Sequence, residues 1–172
     1  MSKNIMVFAG IGCLALSLAS EVRSVTWDGG AADAGCTNPV NWVGDVAPLA
    51  GDPILFDSNS TANPLTYLGA DFTISGLAVL NPSGAISVDS NTLTVGVGGL
   101  DLSRATQNLS ITSAVALSAG QEWAVTNGRT LTVAGAIANG GNALVVTGGG
   151  AVAVSGAISG AGGLTYRGPG IL

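Results

Sequence analysis

The sequence predicts an all-β fold, a right-handed parallel β-helix or solenoid with short strands and rungs of about 21 residues. Three observations predict it. Triplets with the pattern apolar–x–apolar recur from about residue 72 onwards, separated by Gly, Asn and Ser. Longer segments repeat at a nearly constant spacing. Outside the N-terminus, no window has the period of about 3.6 residues that marks an amphipathic helix.

The rung length follows from pairs of similar segments. LSITSAVA at Leu109 aligns with LTVAGAIA at Leu131, and VAGAIANGG at Val133 aligns with VSGAISGAG at Val154. The two alignments share nearly the same offset, which is typical of a repeat architecture. In a solenoid, the inward Val, Ile and Leu of one rung stack on the same positions of the next, and Gly, Asn and Ser tolerate the bends at the corners.

The same period extends to neighbouring segments. WAVTNG at Trp123 falls over LVVTGG at Leu144, and LTYRGPG at Leu164 follows in phase after a small gap. The region from Phe72 onwards holds about four or five such rungs. An antiparallel β-sandwich or jelly roll is the alternative fold, and the hairpin-like TNGRT at Thr126 favours it.

Residues 1–20 have the pattern of a secretory signal peptide. Lys3 supplies the positive charge, residues 5–18 form an uncharged apolar run, and residues 17–19 offer small side chains for cleavage. The run is shorter than the ~20 residues of a membrane-spanning helix, so we expect no membrane span after cleavage. An acylated Cys13, as in a lipoprotein, is the alternative. The pattern predicts export, to the extracellular space or the outer cell surface.

Residues 21–70 form a turn-rich segment that we predict to be an N-terminal cap, followed by solenoid repeats over residues 71–172. Trp27 and Trp42 lie in the cap. They either pack over the first rung and seal it or stack on a sugar, and they are the glycan-contact candidates. Cys36 is interpreted as a loop or core residue, because the chain has no His to act as its base.

The last residues, GGLTYRGPGIL from Gly162, resemble the autotransporter-associated β-strand repeat, whose signature runs G-G-L-x-K-x-G-x-G-T-L-x-L. TWDGG at Thr26 and NWVGDVAPLAGDPILF at Asn41 resemble the N-terminal segment of large secreted proteins with these repeats. Tyr166 departs from the signature where the family often has Lys, and Arg167 where it tends to have a small residue. The positions that match the repeat are Gly163, Leu164, Gly168, Gly170 and Leu172.

The resemblance implies an exported bacterial protein with a β-helical passenger, displayed on the surface or released, and it implies no enzyme activity. It also implies that the repeats are truncated and that the chain is the N-terminal piece of a longer protein. Such a piece would have an open last rung, and self-association through that rung is expected.

The charges argue against several functions. The net charge is −5, so we expect no binding to nucleic acid or to an anionic membrane surface. Five acids between residues 28 and 57 could surround calcium, but no D-x-D-x-D-G run is present, and we interpret them as turn and cap residues. Acids are sparse in the repeats, and at the predicted rung length no two clearly fall on adjacent rungs of one face: Asp71, Asp89, Asp101 and Glu122.

The sequence therefore predicts no catalytic residue, no metal site and no cofactor. It favours a structural or adhesive surface protein without catalytic activity, whose partner is a surface glycan or matrix. The alternative is a carbohydrate-binding or polysaccharide-degrading β-helix protein, since glycoside cleavage needs only two facing carboxylates.

Overall fold

A computed structural model describes residues 24–170 and Leu172. Fifteen strands and one short 3-10 helix, Pro39–Asn41, make up its regular structure, and this part of the chain contains no α-helix. The strands are β1 Val25–Thr26, β2 Ile54–Phe56, β3 Leu65–Tyr67, β4 Phe72–Val79, β5 Ile86–Asp89, β6 Thr92–Leu102, β7 Leu109–Ile111, β8 Ala114–Leu117, β9 Gln121–Val125, β10 Thr130–Val133, β11 Ile137–Ala138, β12 Leu144–Thr147, β13 Ala151–Val154, β14 Ile158–Ser159 and β15 Leu164–Arg167.

The strands stack into a β-solenoid of about five turns, which confirms the predicted fold class. Each turn visits three faces in succession. Face 1 contains the first part of β4 and β6, followed by β8, β11 and β14. Face 2 contains β1, β2, the second part of β4 and β6, and then β9, β12 and β15. Face 3 is the separate sheet β3–β5–β7–β10–β13.

Two long strands join faces 1 and 2. β6 pairs with β8 through its first residues and with β9 through its last, so it runs across the corner between the two faces. β4 does the same one rung earlier, with a register shift between Ile74 and Gly76. In later rungs the corner is a separate turn, rich in Gly and Asn.

The core is a set of inward side chains that stack in register. Alternation along each strand buries every second residue, as in the pattern of β7, where Leu109 and Ile111 are buried and Ser110 is not. On face 2, aliphatic residues and one Trp form a continuous buried row: Ile54, Leu77, Leu100, Trp123 and Val146. Stacking like on like removes each apolar side chain from water on both sides, which is how a thin fold with few aromatics builds a core.

The predicted register is right on face 3 and only partly right on face 2, where Leu164 pairs with Leu144 as the alignment predicts. Leu109 pairs with Leu131, and Val133 pairs with Val154, as the segment alignment predicts. Trp123, however, pairs with Val146 rather than Leu144, so the WAVTNG alignment is displaced from the true register. The spacing between paired residues varies with the face, and the rungs have about 22 residues, slightly more than the sequence predicts.

All named strand pairings among the described residues are parallel, so the alternative antiparallel sandwich is wrong. The TNGRT segment at Thr126 is accordingly a corner between β9 and β10. Its Gly128 adopts φ 73°, and the chain leaves it for face 3 instead of folding back on β9.

Residues 24–53 form an enlarged first turn. Val25 pairs with Ile54, and Leu144 pairs with Leu164. The stretch of chain between the first two residues is much longer than that between the second two. The extra residues include the 3-10 helix, after which the chain crosses the outer edge of β1. The backbone N–H of Val43 donates to the carbonyl of Thr26 at 2.9 Å. This first edge strand is therefore covered, and the ladders already begin inside the segment predicted to be the cap.

The last turn is more open. β13, β14 and β15 each pair with the preceding rung only, within the described residues. Ile158 and Leu164 are 41% and 45% exposed. They line an apolar pocket of about 250 Å³ whose floor includes Trp123 and Val146.

The predicted signal peptide and Cys13 lie outside the described residues. Within residues 24–170, no helix has the length and apolar character needed to cross a bilayer.

Candidate functional site

The two glycan-contact candidates are core residues. Trp27 and Trp42 are both fully buried, and their rings pack edge to face with centroids 5.1 Å apart. Trp42 Nε1 donates to the carbonyl of Cys36 at 2.9 Å, and Trp27 Nε1 donates to that of Ala62 at 3.3 Å. With both ring faces covered and both N–H groups satisfied, neither can stack on a surface glycan in this conformation. They seal the enlarged first turn, which is the packing interpretation.

The acids of the first turn hold backbone loops. Asp28 and Asp57 accept backbone N–H groups from just ahead in the chain, those of Gly30 and Asn59. Such local bonds are typical of Asx turns. No group of three or more acidic, His or Cys side chains within the described residues converges as a metal site.

Asp33 organises the covering loop most extensively. Its carboxylate accepts the backbone N–H of Gly35 at 2.8 Å and the amide groups of Asn38 and Asn41 at 2.9 and 3.2 Å. The Gly35 bond, followed by that of Asn38, lowers the pKa of Asp33 below its usual value. Asn41 is fully buried and its side-chain oxygen accepts from the N–H of Ala31, so this polar network fixes the loop that covers β1.

Cys36 lies in the same loop, and its side chain is buried. Burial raises the pKa of its thiol to about 12, and the neighbouring Thr66 side chain opposes that rise only in part. A thiol with such a pKa stays neutral at physiological pH and is not a nucleophile there. The structure therefore places Cys36 where the sequence interpretation does, among core residues.

Two acids of the repeats do share a face. Asp101 on β6 pairs with Ala124 on β9. Glu122 lies two residues before Ala124 and points to the same outward side. The expectation that no two acids clearly occupy adjacent rungs of one face is therefore wrong. Asp101 and Glu122 are one predicted rung apart in the sequence, and the longer observed rung displaces Glu122 by two residues from the partner of Asp101. Glu122 Oε1 accepts the hydroxyl of Thr147 at 2.6 Å, and Asp101 accepts the N–H of Ser103 at 2.9 Å. The remaining lining of the shallow groove at Glu122 includes Ala, Thr and Gly residues.

Face 1 is lined outside by small uncharged residues. Its central outward row continues in register through five rungs: Thr73, Thr94, Ala116, Ala138 and Ser159. Short side chains leave the stacked backbones near the surface, so this face is even and presents few groups with which to hold a substrate.

Face 3, unlike face 1, carries large outward side chains on its first strand, β3. Leu65 and Tyr67 of β3 point outward and are 70% and 41% exposed, while Thr66 between them is buried. Tyr67 pairs with Asp89 of β5, so the phenol and the carboxylate are outward neighbours on adjacent strands. These side chains line an open groove of about 370 Å³ together with Thr66, Ser87 and Thr112.

Asp89 keeps one carboxylate oxygen free. Its Oδ1 accepts both the hydroxyl of Thr112 and the N–H of Ser90, each at 2.7 Å. The Thr112 hydroxyl and then the Ser90 N–H lower the pKa of Asp89, so it is ionised at neutral pH. No hydrogen bond from the described residues reaches its Oδ2.

Comparison of the chain with models of protein families, with curated proteins and with solved structures finds no match. The groove at Tyr67 was not anticipated among the candidate sites. The sequence signal that could have located it is Tyr67 itself, which lies in an apolar–x–apolar triplet whose facing is ambiguous from composition alone.

Proposed function

We propose that this chain is an exported structural or adhesive surface protein, whose β-solenoid has no catalytic activity of its own. The observation that carries the proposal is the solenoid itself, with a continuous stacked core and outer rows of small uncharged side chains. Such a fold supplies a long, stiff scaffold on which contact residues can be displayed. Export and surface location rest on the signal-peptide pattern of residues 1–20.

Membership of the autotransporter-associated β-strand repeat family is part of this proposal. Two glycines of the signature support it physically. Gly168 has φ 154°, and a Cβ there would overlap the carbonyl of Gly148 one rung below. Gly170 meets the carbonyl of Gly150 in the same way. Only glycine fits where the chain approaches the preceding rung so closely, which is a reason for a signature rich in Gly.

The alternative function is a carbohydrate-binding or polysaccharide-degrading protein. The presence of Asp101 and Glu122 on adjacent rungs of face 2 favours it, because glycoside cleavage needs two facing carboxylates. Against it, the groove at Glu122 is shallow, whereas acid–base chemistry usually depends on a carboxyl whose environment is closed to water.

One experiment separates the two functions. Beads coated with the chain are tested for adhesion to host-cell and matrix surfaces, and the soluble chain is incubated with a panel of polysaccharides. We expect adhesion without release of reducing ends or unsaturated products. Turnover of a polymer that Asp101→Asn or Glu122→Gln abolishes would overturn the non-catalytic proposal. Absence of adhesion together with absence of turnover would leave only the structural role.

A further inference from the structure

β3 places apolar and polar residues in the reverse of the pattern that the other strands of face 3 follow. In β5, β7 and β10, the buried positions are aliphatic and the outward ones are mainly Ser and Thr. In β3, the buried position is Thr66 and the outward ones are Leu65 and Tyr67. The register makes the contrast direct, since Leu65 begins an outward row whose other members are small: Ser87, Ser110, Thr132 and Ala153.

Exposing two large apolar side chains in place of a Ser or Thr opposes folding, because apolar surface stays in water. A local violation of patterning in an otherwise regular fold is expected at a functional or strained site. Tyr67 is, moreover, the one exposed aromatic among the residues that the structure describes. The aromatic side chain available for contact is therefore Tyr67 rather than either Trp27 or Trp42.

The neighbours of Tyr67 are polar in a specific way. Asp89 lies opposite it with Oδ2 free to accept a hydrogen bond, and Thr112 buttresses Oδ1. The end of the Tyr67 ring lies against the backbone at Gly35, where a Cβ would be 3.1 Å from both Cζ and Oη. Gly35 therefore leaves room for the ring, and the ring is held at the rim of the groove.

An apolar ring, an aliphatic side chain and a free carboxylate oxygen on one open face match the chemistry of a sugar. A pyranose has C–H groups that pack on aromatic and aliphatic surfaces, and hydroxyls that donate to a carboxylate in charge-assisted bonds. The carboxylate of Asp89 and the net charge of −5 disfavour an anionic polymer. These features favour a neutral glycan as the ligand class.

We infer that Leu65, Tyr67, Ser87, Asp89 and Thr112 form a binding site for a neutral glycan, with Tyr67 as the stacking residue and Asp89 as the hydroxyl acceptor. The inference rests on the proposed adhesive function, for which it supplies a ligand class and a contact site. An open groove on a strand edge binds by a few contacts, so single-site affinity is modest and display in many copies provides avidity.

The test uses the folded chain and neutral oligosaccharide probes: cello-, xylo-, manno- and chito-oligosaccharides, with oligogalacturonate as the anionic comparison. Binding is measured by isothermal titration and by amide shift changes in NMR spectra. We expect one neutral series to bind and to shift the amides of residues 65–67, 87–89 and 112. Tyr67→Ala should weaken binding about tenfold or more, Tyr67→Trp should retain it, and Asp89→Asn should weaken it.

Val97→Ala is the matched control, because Val97 is 74% exposed and lies outside the groove. It should bind like the parent chain, and all variants should melt near the parent temperature. Any of three results would overturn the site: amide shifts confined to another face, equal affinity of Tyr67→Ala and the parent chain, or binding of oligogalacturonate alone. Adhesion of the parent chain measured separately keeps the outcomes distinct: adhesion that survives Tyr67→Ala refutes this site and leaves the adhesive function standing.

Discussion

Thr66 carries a hydroxyl into a buried row of face 3 whose members on later rungs are aliphatic. Its Oγ1 donates to the carbonyl of Ser87 at 2.8 Å, so the buried polar group is satisfied and costs little. The stacked positions on later rungs are Val88, Ile111 and Val133. This one satisfied hydroxyl allows β3 to turn its larger residues outward.

For a single residue in a strand, sequence predicts least well whether its side chain points inward or outward. The triplet Leu-Thr-Tyr occurs in both β3 and β15, with opposite orientations. Tyr67 points outward, whereas Tyr166 pairs with the buried Val146 and points inward. Period-two alternation is identical in the two triplets, so only the surrounding chain decides which side is buried.

The thiol of Cys36 supplies a prediction at the same scale. Because burial raises its pKa to about 12, the native protein should not react with a disulfide reagent between pH 7 and 9. The measurement is the rate of reaction with Ellman's reagent in a Cys13→Ser background, with and without denaturant. We expect reaction only after unfolding, and fast modification of the native chain would show that the covering loop opens.

A single repeat period predicts the register of some strands better than that of others. The alignment of residues 109–116 with 131–138 is confirmed because both ends of these segments lie in strands. The alignment of Trp123 with Leu144 on face 2 fails because corners change length from rung to rung. The turn from β8 to β9 spans residues 118–120, whereas that from β11 to β12 spans residues 139–143. Corners face water and absorb an extra residue easily, whereas strands do not.

Close rung contact at a corner gives a prediction about an element. A Cβ at Gly135 would overlap the carbonyl oxygen of Ser113 on the preceding rung, although the backbone there needs no positive φ. We expect Gly135→Ala to lower the free energy of unfolding, measured by urea titration, by about 1–3 kcal/mol, through separation of stacked rungs.

Gly163→Ala is the control for that variant. A Cβ at Gly163 meets nothing within 4 Å, and this residue also lacks a positive φ. Its substitution should change stability by no more than about 0.5 kcal/mol in the same urea titration. Equal effects of the two variants would mean that rung contact at Gly135 is not limiting.

The two ends of the described solenoid differ. At the first, residues 38–43 cover β1, and Asp33 and Asn41 fix that loop. At the other, the apolar pocket between Leu144, Ile158 and Leu164 opens to solvent. Residues 130–172 contain a single charged residue, Arg167. Charged side chains are a common protection of strand edges, and this end has almost none.

That asymmetry predicts self-association of the chain after removal of residues 1–20. Unpaired N–H and C=O groups of β13, β14 and β15 can pair with those of another copy, and the exposed Ile158 and Leu164 become buried on contact. Light scattering coupled to size-exclusion chromatography over a range of concentrations should show mass rising with concentration.

The double variant Ile158→Lys, Leu164→Lys should remain monomeric, because two charges at the contact would be desolvated without partners. Thr94→Lys adds an outward charge on β6, which is paired on both sides, and should associate like the parent chain. A monomeric parent chain at all concentrations, or association that the double variant leaves unchanged, would show that the open turn is not a pairing surface.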